Sequence, residues 1–538
     1  MDMYKNIRVI LEKLNNSDLN LLKKYYEISD KTTDFETISI LIAFGKRGTM
    51  CRENPLKNQK FVLHDTLFYA ISGEYEKRIG HGGYGDVYKS KTNIAIKEFK
   101  IPNIAEIGLL NHLHHPSVMC PYAVNIANNL FIKVAMPLGE GTLANLMPIL
   151  KYSIDFRKNV FFQILKGLEY MHSMDVWHLD IKPENILYFT NTDAGFTIKI
   201  ADFSLASIKG IKFTQYICTY IWRPPEIILG YNNYDGLVDI WSTGIILLDS
   251  IFYDNFFKTG AQDVVDLLDL QNVPKEFAIL YNIFALIGFN DDVIPGYKTR
   301  TLLKHMPKEI VNFSNDLYMY RNALKNNTND EEFTLLQRMF AYLPNRITAS
   351  EALKMPYFDN VRNKFNYPSL PNSCAGSLTP YISEISNYIN RTFVLKKITT
   401  SFGTDVRLTF YALTLNDMLK NSNVENIENI IDFTKLIYWS PVKFNNKGVK
   451  SILEQIDFNI FFSTCFDFIE KYVVKDDEYM KSKELLQDNI LNQYVGDFMF
   501  DKKINYSELV LHEISKLNLN INEECIFLYI RTKIKLAL

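Results

Sequence analysis

Two short stretches carry residues whose types and spacing suit the movement of a phosphoryl group. The first, Val176-Trp-His-Leu-Asp-Ile-Lys-Pro-Glu-Asn-Ile-Leu187, holds His178, Asp180, Lys182 and Asn185. The second, Ile198-Lys-Ile-Ala-Asp-Phe-Ser204, presents Asp202. A carboxylate such as Asp180 can accept the proton of an attacking hydroxyl. Lys182, two residues on, can reach the phosphate in transit. Asn185 and Asp202 offer oxygens of the kind Mg²⁺ prefers, and that ion keeps several of its waters and needs few protein ligands. The alternation of Ile198 and Ile200 predicts a short strand that delivers Asp202. The plainer reading is a helix, a loop and a strand with scattered charges. Two oxygen-ligand candidates, a His, a Lys and a strand together favour the chemical reading, provided a phosphate-binding loop lies upstream.

Such a loop is present. Ile79-Gly-His-Gly-Gly-Tyr-Gly-Asp-Val-Tyr88 places Gly80, Gly82 and Gly85 in the pattern G-x-G-x-x-G, followed by Val87. Strand-type residues flank the glycines on both sides, so the segment reads as a hairpin and not as a strand-to-helix turn. A hairpin of this kind covers nucleotide phosphates, which glycines allow the backbone to approach closely. Just beyond it, Ile94-Ala-Ile-Lys97 predicts a strand ending in Lys97, the candidate for the α- and β-phosphates of ATP. Glu106 is its candidate partner on the following helix. An adenine ring would lie between Ile79, Val87 and Ala95 on one side and Leu187 on the other, beside the connector Met136-Pro-Leu-Gly-Glu-Gly141.

The elements around these residues follow from periodicity. Val160, Ile164, Leu168 and Met171 recur at helical spacing ahead of the catalytic stretch and predict a core-facing stripe. Further on, Glu226 in Trp222-Arg-Pro-Pro-Glu226 is expected to pair with Arg346. Residues 1–72 look helical, with apolar spacing at Ile7, Ile10, Leu11 and Leu14, and carry no chemistry. Paired prolines with Ser and Gly in Tyr367-Pro-Ser-Leu-Pro-Asn-Ser-Cys-Ala-Gly376 mark a linker.

The whole-chain figures set bounds. The length of 538 residues exceeds what one core usually serves. Apolar residues make up 47% and charged residues 22%, a globular composition. A net charge of −2 gives no case for bulk binding of nucleic acid or anionic membrane. Six scattered cysteines without a C-x-x-C read as free thiols of a reducing compartment. With no cleavable apolar signal and no membrane-length run, the expected location is the cytoplasm or nucleus.

Taken together, Gly80–Tyr88, Ile94–Lys97, Val176–Leu187, Ile200–Ala206, Cys218–Gly230 and Tyr234–Gly244 resemble a eukaryotic-type protein kinase. Asn282–Gly296 and Leu335–Phe358 resemble the cyclin-dependent kinases in particular. The resemblance implies a bilobal α+β fold over residues 73–363, ATP and Mg²⁺ as cofactors and Ser/Thr residues of a protein substrate as acceptors. Arg223 and Ile217-Cys218 resemble that family's substrate loop, which implies proline after the acceptor. The resemblance is incomplete. Leu179 stands in the family's His-Arg-Asp, and Ser204 replaces the Gly of Asp-Phe-Gly. The path from Lys97 to Glu106 is short, so Pro102-Asn103 should start the helix directly. Tyr84 aligns with an inhibitory phosphotyrosine, with Gly83 in place of the neighbouring threonine.

Beyond a linker at 364–379, residues 380–538 read as an all-α domain that resembles a divergent cyclin. Arg391–Ile398, Leu408–Leu419, Val449–Tyr472 and Ser507–Leu517 carry that likeness. It departs from the family at Trp439 and Val449, which stand near where cyclins grip the kinase, and at Lys397, which replaces an aromatic of the docking patch. The implied partner is this intramolecular cyclin-like domain or a separate cyclin. The competing reading is a pseudokinase scaffold that binds nucleotide or proteins without phosphoryl transfer.

Thr214 aligns with the family's activating phosphothreonine, which normally meets three arginines. Ala105, Leu179 and Ser207 occupy their places. A phosphate adds about −1.5 to −2 charges and needs cationic partners, so loop phosphorylation is not expected to control activity. Thr214→Ala should therefore transfer phosphate at the unmodified rate; a folded but inactive variant would overturn this.

Overall fold

The structure is a computed structural model. It describes residues 62–63, 65–82, 85–100, 103–127, 131–192, 195–208, 218–230, 234–252, 324–365 and 367, together with 405–419, 424–438, 446–456 and short pieces at 279–280, 283–284, 287, 382–383, 397–398, 400–402, 460 and 504–505. The expected helices of residues 1–44, the positions of Tyr84, Thr214 and Trp439, and the segments 391–396 and 507–517 lie outside the described residues.

The smaller lobe is a five-stranded antiparallel sheet. Its strands are β1 (Tyr75–His81), β2 (Gly85–Ser90), β3 (Ile94–Phe99), β4 (Ala123–Ile126) and β5 (Ile132–Pro137), in the spatial order β1-β2-β3-β5-β4. In β3 the residues Ile94, Ala95 and Ile96 are buried, and the strand runs central to the sheet. A helix, α1 (Asp65–Ser72), caps one end. Asn125 Nδ2 donates to Leu63 O at 3.1 Å and to Asp65 Oδ1 at 2.7 Å, and Phe68 is fully buried. The last residues of the N-terminal extension are thus packed on the sheet.

Helix α2 (Ile104–His112) begins at its Asn103 cap and carries Glu106 in its first turn. Proline at 102 cannot serve as an interior helical donor, which fits a start just after it. Ile104, Ile107, Leu109, Leu110 and Leu113 are all buried, while Ala105, Asn111 and His112 are half-buried.

The larger lobe is helical. Helix α3 (Leu143–Leu150) precedes α4 (Ile154–Ser173), in which Val160, Ile164, Leu168 and Met171 are fully buried. Helix α6 (Leu237–Phe252) packs nearby, after a short helix α5 (Pro225–Ile228). Helices α7 (Asp330–Met339), α8 (Ala349–Leu353) and α9 (Asp359–Arg362) close the lobe. A three-stranded sheet of β6 (Gly141–Thr142), β8 (Ile186–Thr192) and β9 (Gly195–Ile200) lies under the site, and β7 (Val176–Trp177) pairs with β10 (Ser207–Ile208). Ile198 and Ile200 in β9 are fully buried, which fixes the register that brings Asp202 to the cleft.

Two buried ion pairs tie distant parts of the larger lobe. Arg346 donates through Nη1 and Nη2 to the two oxygens of Glu226, at 2.6 and 2.9 Å. Arg157 does the same to Glu332, through Nε at 2.8 Å and Nη2 at 3.1 Å, and Tyr357 adds a hydrogen bond at 2.7 Å. Past the larger lobe the chain returns to the smaller one. Tyr367 donates to or accepts from Ser117 Oγ at 2.9 Å, and its ring stacks on His115, which stacks in turn on Tyr170. Burial between the two rings, with Lys199 and Lys166 near, holds His115 neutral with a pKa of about 3.

The described part of residues 380–538 contains three helices: α10 (Val406–Met418), α11 (Val424–Tyr438) and α12 (Asn446–Gln455). It also contains a short antiparallel pair, β11 (Ile382–Ser383) with β12 (Ile504–Asn505), so the all-α expectation needs correction. The ladder is two residues long and joins segments far apart in sequence, a contact that leaves no local pattern. Lys397, expected in a docking patch, makes an ion pair with Glu428 at 2.6 Å.

Removing Arg157 strands a buried carboxylate. Arg157→Met should cost about 3–5 kcal/mol of stability. Arg157→Met combined with Glu332→Leu should recover much of that loss, and thermal unfolding of both variants checks the pair.

Candidate active site

The catalytic stretch is held from below by one carboxylate. Asp239, on α6 and buried, accepts from the backbone N–H of His178 at 2.9 Å and of Leu179 at 2.8 Å, and meets His172 Nε2 at 3.0 Å. Leu179 thereby keeps a left-handed backbone, φ 62°, that is uncommon for a branched side chain. His178 completes the loop. Its Nε2 donates to Ala201 O at 3.0 Å and its Nδ1 accepts from Asp180 N at 3.3 Å, which fixes the tautomer.

Asp180 stands at the centre of a hydrogen-bond cluster. Lys182 Nζ donates to Oδ2 at 2.6 Å and Asn185 Nδ2 to the same oxygen at 3.0 Å. Thr219 donates to Oδ1 from its hydroxyl at 2.6 Å and from its N–H at 3.0 Å, and Lys182 also donates to Thr219 Oγ1 at 3.1 Å. Asn185 turns its amide nitrogen to Asp180, so its oxygen is the atom it can offer a cation.

The hairpin β8–β9 sets the second ligand candidate beside the first. Ile186 pairs with Ile200, and Ala201 N donates to Asn185 O at 2.8 Å. Lys97 Nζ lies 2.5 Å from Glu106 Oε1 and 3.1 Å from Asp202 Oδ1, so the short path from β3 to α2 does bring Glu106 to Lys97. Burial works against the Lys97 charge, but the two carboxylates outweigh it and raise its pKa. Burial likewise pushes Asp202 up, and Lys97, with smaller help from His178 and Ser204, more than reverses this, holding Asp202 below the usual carboxylate range.

The donor set fits a magnesium–nucleotide complex. Asn185 and Asp202 supply oxygens only, and among the described residues no group of three or more His, Cys, Asp or Glu could hold a metal unaided. That is the pattern for an ion that takes its remaining ligands from phosphate and water. In the hairpin above, Gly82 N donates to Gly85 O at 3.0 Å across the turn, and Gly80 faces Val87. Ala95 is buried, Val87 half-buried and Ile79 exposed, while Leu187 packs beneath Gly139 of the connector.

Several contributors escape a reading by motif. Thr219 reveals itself only by closing on Asp180, although a hydroxyl three residues before Trp222 was a usable signal. Ser204 supplies a carbonyl to Asn103 Nδ2 where the sequence suggests only lost backbone freedom. Leu179, in the place of the family's arginine, sits in an apolar cluster with Cys218, Ile227, Tyr234 and Val238, and its carbonyl accepts from Cys218 N at 2.8 Å.

A two-lobed fold with a glycine hairpin, a lysine paired to a helix carboxylate and an Asp-Lys-Asn loop facing a second aspartate defines a protein kinase. A family model, protein kinase domain, matches residues 74–358, and the chain belongs to that family. The mitogen-activated protein kinase HOG1 of Gibberella zeae is 30% identical over 319 residues, covering 56% of this chain and 83% of that protein. The mitogen-activated protein kinase hog-1 of Neurospora crassa is 31% identical over 311 residues, covering 54% and 80%. The cyclin-dependent kinase 8 of Caenorhabditis elegans is 28% identical over 357 residues, covering 56% and 59%. The similarity therefore reaches two kinase groups, broader than the cyclin-dependent group alone. Among the described residues no helix is long and apolar enough to cross a membrane.

A methyl group on Gly85 would overlap the Glu98 carbonyl oxygen on β3. Gly85→Ala should therefore displace the hairpin, cost about 1–3 kcal/mol of stability and raise the KM for ATP; melting curves and ATP titrations test both effects.

Proposed function

We propose that the chain is a protein serine/threonine kinase that moves the γ-phosphoryl group of ATP to Ser or Thr followed by proline. The observation that carries this reading is the Asp180 cluster. In it, Asp180 accepts the proton of the acceptor hydroxyl, and Thr219 and Lys182 hold its carboxylate in line. Lys182 also faces the transferring phosphate, and Lys97, kept charged between Glu106 and Asp202, orients the α- and β-phosphates. Asn185 and Asp202 would hold Mg²⁺, which would supply neutralisation of charge on the phosphates. Such catalysis is positioning and electrostatics more than covalent chemistry.

Preference for proline rests on the backbone beside Thr219. Cys218 has φ 59°, and its carbonyl accepts from Arg223 Nε at 2.9 Å. An N–H on the residue after the acceptor would find that carbonyl already engaged, and an unpaired donor in a closed site costs about 1–3 kcal/mol. Proline brings no N–H.

The region after residue 380 is proposed as a cyclin-like activator within the same chain. Support comes from three consecutive helices with buried apolar residues, and from α2, whose buried Ile104, Ile107, Leu109 and Leu110 suit a helix covered by its own chain. Tethering raises an activator's effective concentration to about millimolar. The scaffold reading loses ground because Lys97, Asp180, Lys182, Asn185 and Asp202 are all present and gathered in one cleft.

Full-length protein with ATP and Mg²⁺ should phosphorylate a Ser-Pro peptide and lose roughly 10²–10⁴-fold in kcat on Asp180→Asn. Equal rates on Ser-Pro and Ser-Ala peptides would refute the proline preference alone. A form ending at Asn363 should be far slower than the full chain, and equal rates would remove the activator from the model.

A further inference from the structure

The first turn of α2 is bound to the Asp202 loop by a single side chain. Asn103 caps the helix: its Oδ1 accepts from the N–H of Glu106 at 3.2 Å. Its Nδ2 faces the other way and donates to Ser204 O at 3.3 Å and to Glu106 Oε2 at 3.4 Å. The assignment of the amide is fixed by its surroundings. One side meets a backbone donor, the other meets a carbonyl and a carboxylate, and only one orientation satisfies all three.

These bonds close a circuit. Lys97 joins Glu106 to Asp202, the backbone runs from Asp202 to Ser204, and Asn103 joins Ser204 to Glu106. Glu106 is almost fully buried, so its second oxygen needs a donor supplied by the protein. Ser, Thr or Asp could cap the helix as well as Asn does. Asp offers no donor, and Ser or Thr offers a single O–H on a shorter side chain, where the amide has two N–H groups for Ser204 O and Glu106 Oε2. The choice of Asn at this cap is explained by the loop and not by the helix.

We propose that Asn103 is a positioning residue that locks α2 and the Asp202 loop into one catalytically aligned unit, so that the alignment is set by the chain's own side chains without a modified loop. This deepens the kinase reading and rests on it. Asn103 touches neither nucleotide nor substrate in this account, and acts through Glu106 and Asp202.

The test uses full-length protein and two variants. Asn103→Ser keeps a cap acceptor and exchanges the two amide N–H donors for a single O–H on a shorter side chain. Asn103→Asp keeps the shape and the cap but turns an oxygen toward Ser204 O and the Glu106 carboxylate. Both should retain the melting temperature to within a few degrees, because their caps are intact. Both should lower kcat roughly ten- to a hundredfold, with Asp worse than Ser, and leave the peptide KM unchanged. Both should also need more Mg²⁺ for half-maximal rate. Hydrogen–deuterium exchange of the same proteins provides a readout that needs no turnover. Segments 103–108 and 202–206 should speed up together in both variants. If the unmodified protein transfers no phosphate, the kinase reading fails while this exchange still decides the latch. Faster exchange confined to 103–108, or a kcat equal to that of the unmodified protein in Asn103→Ser, would show that Asn103 is a helix cap only and overturn the proposal.

Discussion

The carboxylate of Asp239 is the constraint on which the catalytic cleft depends. It is buried, and a buried carboxylate is stable only when charged donors or N–H groups surround it. Asp239 meets this need by drawing in the backbone N–H groups of His178 and Leu179 and the ring of His172. The demand runs both ways. Those two N–H groups point inward only if Leu179 adopts positive φ, and that conformation orients Asp180 toward Thr219 and Lys182. Local strain of this kind persists because the surroundings over-determine it. The residue that governs the geometry of the proposed base therefore lies on α6, far along the chain, and takes no part in the chemistry.

A second constraint acts from the smaller lobe. Lys97 is buried between Glu106 and Asp202, and Glu106, itself buried, cannot leave Lys97 without losing the cation that pairs with it. Glu106 belongs to α2 and Asp202 follows β9, and the N–H and C=O of Ile200 at the end of β9 bond Ser117 O and Met119 N at 2.9 and 2.8 Å. The loop between α2 and β4 thus holds the strand that delivers Asp202. Tyr367 stacks on His115 of the same loop from the far side. Helix, loop, strand and the start of the C-terminal segment form one mechanical path into the cleft.

Much of this arrangement was legible in the sequence where one residue type at fixed spacing does one job. Gly80, Gly82 and Gly85 between strand-type residues specify a hairpin, and Ile198 and Ile200 specify a strand whose buried face sets the position of Asp202. The stripe from Val160 to Met171 is likewise fully buried. The pairing of Glu226 with Arg346 could be anticipated because each sits in a recognisable motif. What stayed hidden depends on contacts between distant segments that carry no periodic mark. Ser204 reads as the loss of a glycine until its carbonyl is found on the Asn103 amide. Lys397 reads as a lost aromatic until Glu428 is found beside it. The β11–β12 ladder joins residues near 382 and 504 through two positions each, too few for alternation to appear.

Leu179 shows how such a substitution can change the logic of a site as well as its composition. An arginine beside the catalytic aspartate presents a cation that needs an anion, and a phosphorylated loop can supply one on demand. Leucine presents apolar surface that needs covering at all times. Cys218, Ile227, Tyr234 and Val238 cover it, and Cys218 N bonds the Leu179 carbonyl. Cys218, beside Thr219, is held by packing that no kinase or phosphatase can add or remove. Buried apolar contacts are also indifferent to ionic strength, unlike exposed charge pairs. On the nucleotide side α2 meets a similar demand: Ile104, Ile107, Leu109, Leu110 and Leu113 are buried, and Glu106 stays at Lys97 only while they remain covered.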